Sequence, residues 1–199
     1  MNFWWLIVSA VGLALLAASS NEARRPAISP TEARVFHAVN GLPNWLYRPL
    51  WLPMQLGNLV VGTLVGIAVA WAAGDWWVAA GVIIATISKL GTEKIVRRQM
   101  ADYLAIRQRP GTSQVGAILR GADVPSSGAS FPSGHVILVT AIATVVAPAL
   151  PIDWWWVPAL LTLLVMFGRV FVGAHNPLDV TAGLGAGLLV GGIVAIFVR

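Results

Sequence analysis

Six stretches of the chain are apolar over much of a bilayer's depth, and polar segments separate them. They cover residues 2–20, 56–73, 76–90, 135–150, 154–172 and 177–198. A helix needs roughly 20 apolar residues to cross a hydrocarbon core of about 30 Å. Several stretches are shorter, so their ends are expected to extend into polar flanks. The runs lack the alternation of a transmembrane barrel strand. The pattern therefore predicts an all-α polytopic membrane protein, a six-transmembrane-helix bundle forming a single domain over residues 1–199.

Between the first two stretches, residues 29–53 mix Arg34, His37, Asn40, Asn44 and Arg48 with Val35, Phe36, Leu42, Trp45, Leu46 and Trp51. That mixture suits an interfacial helix after the first span. The first stretch is short enough for a signal peptide, but no Lys or Arg precedes it, so the charged leading region of a secretory signal is missing. It is read as a retained helix. Tryptophans such as Trp4-Trp5, Trp76-Trp77 and Trp154-Trp155-Trp156 fall near span ends, as an aromatic belt requires. Gly183, Gly187 and Gly191 recur every four residues, as do Gly62 and Gly66, giving faces on which another helix can approach closely. A bundle needs such faces internally, which favours intramolecular packing, with a homodimer as the alternative.

Composition narrows the class. The chain is 57% hydrophobic and 11% charged, against about 25% charged for a soluble domain. It has no cysteine, so neither disulfides nor thiolate metal sites enter. A net charge of +5 suits anionic lipids or phosphorylated substrates. Nucleic acid is disfavoured, because the basic residues are not interleaved with stacking aromatics on a soluble face.

Polar groups at membrane depth usually cluster where chemistry needs them. Here Phe131-Pro132-Ser133-Gly134-His135 opens the fourth stretch, and Arg169, His175, Asn176-Pro177 and Asp179 run from the end of the fifth to the start of the sixth. Ser133 is a credible helix cap and Gly134 opens the backbone to an anion at a helix start. Asn176-Pro177 marks a second helix start. Asp179, in its first turn, could reach back to His175, fix the imidazole tautomer and leave the other nitrogen nucleophilic. It could equally only stabilise the helix N-terminus. Arg169 alone reads as a snorkelling residue and Arg109 as a solvated charge. Two guanidinium groups beside two imidazoles are a more specific pattern, suited to phosphate.

These residues resemble the type 2 phosphatidic acid phosphatase (PAP2) superfamily, whose membrane members hydrolyse lipid phosphates and whose motifs read K-x6-R-P, P-S-G-H and S-R-x5-H-x3-D. The second is complete at Pro132, Ser133, Gly134 and His135. The third is present at Arg169, His175 and Asp179 with Gly168 in place of serine, and the first keeps Arg109 and Pro110. The motifs span residues 102–179. The lysine position holds Asp102, and Arg98 or Arg107 could supply the missing charge.

The resemblance implies a membrane lipid phosphatase. His175 would be the nucleophile forming a phosphohistidine, oriented by Asp179. His135 would be the leaving-group acid and then the base that activates water. Arg109, Arg169, Ser133 and Gly134 would bind the phosphoryl oxygens. It implies no cofactor and no metal, since the arginines take the electrostatic role. Polyprenyl phosphates or diphosphates, phosphatidate and phosphatidylglycerol phosphate all fit, with membrane lipids as surroundings and no nucleic acid partner.

Two other readings compete. An intramembrane serine protease would pair Ser133 with His175, and a non-enzymatic anionic-lipid transporter or binding protein would use the same residues as a static anion site. Six spans put the motifs at one membrane face together with twelve of thirteen basic residues, leaving Arg199 opposite. The positive-inside rule then predicts a multi-pass protein of the cell membrane with a cytoplasmic catalytic face.

Overall fold

The computed structural model describes residues 3–25, 27–103 and 107–198, so Asn2 and Arg199 lie outside the described residues. Helices α1 (Phe3–Ala23), α2 (Pro30–Asn40), α3 (Tyr47–Met54), α4 (Leu59–Ala72), α5 (Trp76–Gln99), α6 (Pro110–Ser113), α7 (Gly134–Val146), α8 (Trp156–Phe171) and α9 (Pro177–Val198) follow one another, linked by short 3-10 turns and loops. There is no strand among the described residues beyond an isolated bridge between Gln108 and Ala129. The all-helical reading holds.

Among the described residues, three helical segments are long and apolar enough to cross a membrane: Phe3–Ala23, Ile152–Phe171 and Pro177–Val198. The pair Asn44–Gly57 and Leu59–Ala72 would make a fourth, bent by 77°, and Gly134–Ala149 is a shorter apolar helix. The remaining long helix, α5, does not stop where its apolar run does. It continues to Gln99 and carries Lys89, Glu93, Lys94, Arg97 and Arg98 in its second half.

The core lies around α9, whose apolar window is 61% buried against 17% for α1. Sequence explains this through side-chain size. Gly183, Gly187 and Gly191 face α7, and a Cβ on each would stand 2.8 Å from the carbonyl oxygens of Ser133, Ile137 and Ala141 respectively. On another face of α9, a Cβ on Gly185 would stand 2.6 Å from the Leu16 nitrogen of α1. Only glycine lets the helix axes approach this closely. Gly62 and Gly66 serve likewise, against Leu138, Ile142 and Val82. The glycine faces are thus used within one chain.

The segment expected at the interface is both exposed and anchored. Val35, Trp45, Trp51 and Leu52 are exposed, whereas Phe36 and Asn40 are buried. Ser29 caps α2 by accepting from the Glu32 N–H at 3.2 Å, with Pro30 at the first helical position. At the other end, the Asn40 amide donates to the carbonyls of Ile118 and Phe171, both at 2.9 Å. Asn58 caps α4 where the chain turns from α3, accepting from Val60 and Val61. Exposed Trp4, Trp71, Trp76, Trp77, Trp154 and Trp156 gather at the end where α1, α5 and α8 begin and α4 stops. That end is opposite the starts of α7 and α9, where the polar motifs meet.

Candidate active site

Helices α7 and α9 begin side by side. The Ser133 N–H donates to the Asp179 carbonyl at 3.0 Å, which ties the second motif to the third. Ser133 is the N-cap residue of α7, but its side chain makes no capping bond and its buried Oγ has no hydrogen-bond partner. At the start of α9, the Asn176 side chain does not cap either. Its Oδ1 accepts from Gln114 Nε2 at 2.8 Å. Instead, Asp179 reaches back and accepts the Asn176 backbone N–H at 2.8 Å. The helix-stabilising role and the histidine-facing role of Asp179 are therefore both realised, because the same Oδ2 stands 3.8 Å from His175 Nδ1. At that separation the contact is electrostatic rather than a hydrogen bond.

Arg107 and Glu32 hold this carboxylate from behind. Arg107 Nη2 is 2.9 Å from Asp179 Oδ1, and its two terminal nitrogens reach Glu32 at 2.9 and 2.8 Å. Glu32 also accepts the Leu178 N–H at 3.0 Å, in the first turn of α9. The Ser130 hydroxyl donates to Asp179 Oδ2. Burial opposes the charge on Arg107, but the carboxylates of Glu32 and Asp179 outweigh it and hold the guanidinium above its ordinary value.

A cavity of about 320 Å³ opens in front of the histidines. His135, His175, Arg109, Arg169 and Gly134 all line it, and Lys89, Glu93, Arg97 and Asp123 complete its polar wall. Arg109 is fixed by donating to the Ala174 carbonyl at 2.9 Å. Arg169 comes from the last turn of α8 and is 5% exposed. Gly57 packs on His135, where a Cβ would lie 2.7 Å from the His135 Cβ and 2.8 Å from its ring. Burial is the main cause that lowers the His175 imidazole below its ordinary value; Asp179 pulls the other way, and Arg169 and Arg109 push it further down. Burial and the neighbouring Arg97 likewise lower Arg109. The His175 shift favours the neutral imidazole, whose Nδ1 faces Asp179 while the residue lines the cavity.

Two expected phosphate-binding candidates stand elsewhere. Arg107 lies behind the cavity with its terminal nitrogens committed to Glu32 and Asp179, and Arg98 is exposed on α5 and does not line the cavity. The cations that do face it from α5 are Lys89 and Arg97. Their spacing at positions i and i+8, with Glu93 between, was a readable signal of one helix face. Glu32 and Ser130 had no such signal, since their partners are far away in sequence. Among the described residues no three His, Asp or Glu side chains converge as metal ligands. No Ser–His hydrogen bond supports a protease dyad, because Ser133 Oγ is unpartnered.

The sequence pattern of the PAP2 superfamily matches residues 76–199. The chain belongs to that superfamily. Membership brings the activity the motifs implied, so the protein is a membrane lipid phosphatase that works through a phosphohistidine. Among curated proteins, it is 32% identical over 142 residues to the decaprenylphosphoryl-5-phosphoribose phosphatase of Mycobacterium tuberculosis, covering 70% of each chain. It is 42% identical over 55 residues to the undecaprenyl-diphosphatase of Sulfolobus acidocaldarius, covering 27% of this chain and 26% of that one. Two solved structures share the fold. The PAP2-type phosphatidylglycerolphosphate phosphatase of Bacillus subtilis superposes with a TM-score of 0.73 at 21% identity, over 97% of this chain and 94% of that one. Aquifex aeolicus LpxE gives 0.63 at 20% identity, over 81% and 92%.

Proposed function

We propose that this PAP2 phosphatase removes a terminal phosphate from a polyprenyl-linked phosphate or diphosphate, acting at the surface of the cell membrane as a six-span enzyme. The observation that carries the reading is the convergence of His135, His175, Arg109 and Arg169 on one cavity at the starts of α7 and α9. Arg109, Arg169, the Gly134 backbone and Ser133 hold the phosphoryl oxygens. His175 Nε2 attacks phosphorus, and the bond to the lipid oxygen breaks as His135 delivers a proton to that oxygen. His135 then takes a proton from water, which attacks the phosphohistidine, frees orthophosphate and restores His175. Phosphoryl transfer asks mainly for positioning and charge stabilisation around an in-line displacement, which this ring of groups is arranged to supply.

Support for a polyprenyl substrate comes from the two curated relatives and from an apolar groove. A groove of about 230 Å³ runs between α4, α7 and α8, from Leu56 through Gly66 and Ile142 to Leu150 and Trp154. It begins one residue before Gly57, which lines the catalytic cavity, so a headgroup in the cavity leaves its tail facing hydrocarbon. Six crossings are supported by the alternating course of α1, α4, α5, α7, α8 and α9 between the tryptophan-rich end and the motif end. Arg34, Arg48, Lys94 and Arg98 are exposed at the motif end, and the connections over residues 73–75 and 147–153 carry no Lys or Arg. This charge bias supports a cytoplasmic catalytic face.

The test is orthophosphate release by purified protein from polyprenyl phosphate, polyprenyl diphosphate, phosphatidate and phosphatidylglycerol phosphate in mixed micelles. Turnover should be highest on the polyprenyl lipids and unchanged by exhaustive EDTA treatment, and orthovanadate should inhibit. Preference for the glycerolipids would overturn the substrate assignment. Activity abolished by EDTA and restored by a divalent ion would overturn the arginine-based mechanism.

A further inference from the structure

Lys89, Glu93 and Arg97 follow one another at four-residue spacing on α5 and so share one face. All three line the catalytic cavity together with His135 and His175. Lys89 Nζ stands 2.7 Å from Glu93 Oε2, and Arg97 Nη2 stands 3.1 Å from Glu93 Oε1. One carboxylate is clamped between two cations.

Where that carboxylate rests is the informative point. A Cβ on Gly134 would come within 2.6 Å of Glu93 Oε2 and 3.1 Å of Oε1. The Glu93 carboxylate therefore lies on the backbone of the first residue of α7, a 13-residue helix whose N-cap side chain gives no hydrogen bond. The leading N–H groups of a helix lack intrahelical acceptors, and the helix dipole favours an anion there. The buried Ser133 hydroxyl beside it is also unpartnered. Two cations and a helix start thus surround a carboxylate at the place where the hydrolytic reading needs a phosphoryl group.

Resting on that reading, we propose that Glu93 is a built-in competitor of the substrate phosphate. The incoming phosphoryl group displaces the Glu93 carboxylate from the start of α7 and takes over Lys89 and Arg97. Those two cations do the work of the family lysine, whose position holds Asp102 here. The displacement also selects by charge. A phosphate monoester dianion competes well against a carboxylate for two cations, whereas a phosphodiester monoanion has no charge advantage over it. The site therefore prefers terminal phosphates to phosphodiester linkages.

Competitive inhibition by orthophosphate, methyl phosphate and dimethyl phosphate separates the possibilities, with orthophosphate binding also followed directly by phosphorus NMR. Glu93→Gln and Glu93→Ala should each tighten orthophosphate by about tenfold, on the scale of one charge-assisted interaction. Both should narrow the gap between methyl and dimethyl phosphate. Lys89→Gln and Arg97→Gln should weaken orthophosphate by a similar factor. If both Glu93 variants bind orthophosphate as the native protein does, or more weakly, the competitor role is wrong. A native protein that neither binds orthophosphate nor turns over lipid phosphates would instead sink the phosphatase reading itself.

Discussion

Arg107 and Asp179 form an ion pair at 2.9 Å with both side chains almost wholly removed from solvent, so the carboxylate that faces His175 is held in place from behind. The pair does not stand alone. Glu32 shares the same guanidinium and binds the first turn of α9, so α2, the segment after α5 and α9 meet at one buried network.

Removing Arg107 should unfold this junction. Arg107→Gln leaves two buried carboxylates without their partner, and breaking a buried pair from one side typically costs about 3–5 kcal/mol. Thermal unfolding in detergent should show the loss. The double variant Glu32→Gln with Arg107→Gln should recover part of it, because one of the stranded charges is gone. Equal stability of native protein and Arg107→Gln would contradict the assigned role.

How far the sequence exposes this arrangement depends on the range of each contact. The sequence predicts a sixth apolar stretch over residues 177–198, and α9 runs over Pro177–Val198, because Asn176-Pro177 is a local start signal. The expected glycine faces of α9 and α4 are the packing faces, since a four-residue repeat is itself a local pattern. The Arg107 network joins residues 72 and 75 positions apart, and no short-range periodicity encodes such a meeting. Ending the third apolar stretch at residue 90 separated Lys89 from Glu93 and Arg97, although all three lie on α5. Their charges resembled a solvated end, and only the position of α7 turns that face into a cavity wall.

The two histidines should respond differently to a change of leaving group. General acid catalysis contributes about 10² to 10⁴ in rate, and a leaving group that needs no proton makes that contribution unnecessary. His135→Ala should therefore lose most activity on a lipid phosphate and regain a large part on p-nitrophenyl phosphate. His175→Ala should remain inactive on both, because under the proposed mechanism it removes the atom that bonds to phosphorus. Comparable rescue of the two variants would reverse or void these roles.

The acid side of the pH profile should follow His175. Its folded value is lowered from 6.5, chiefly by burial, so with His175 as the proposed nucleophile the acid limb of kcat/KM falls below that value. Asp179 opposes the shift, so Asp179→Asn should move the limb to still lower pH while reducing turnover. Stability follows the same linkage. The native protein binds a proton on His175 less readily than the unfolded chain does, so the contribution of this group is fully present above about 6.5 and is lost as pH falls from there through the folded value. A limb at or above 6.5 would contradict the burial-driven shift.

The membrane face of the site is open to a direct chemical measurement. Val115 follows α6 on the motif side and is 97% exposed, and the chain contains no cysteine to confuse a labelling experiment. Of the basic residues at that end, Lys89, Arg97, Arg107, Arg109, Arg120 and Arg169 are engaged with the cavity or with buried partners. Arg24, Arg25, Arg34, Arg48, Lys94 and Arg98 remain exposed, while the connections at the tryptophan-rich end have no positive charge at all. Positive loops are retained on the cytoplasmic side during insertion. A Val115→Cys variant in intact cells should therefore resist a membrane-impermeant maleimide and react once the cells are opened, with Asp75→Cys at the opposite end giving the reverse pattern. Ready labelling of Val115→Cys in intact cells would place the catalytic cavity outside and overturn the cytoplasmic assignment.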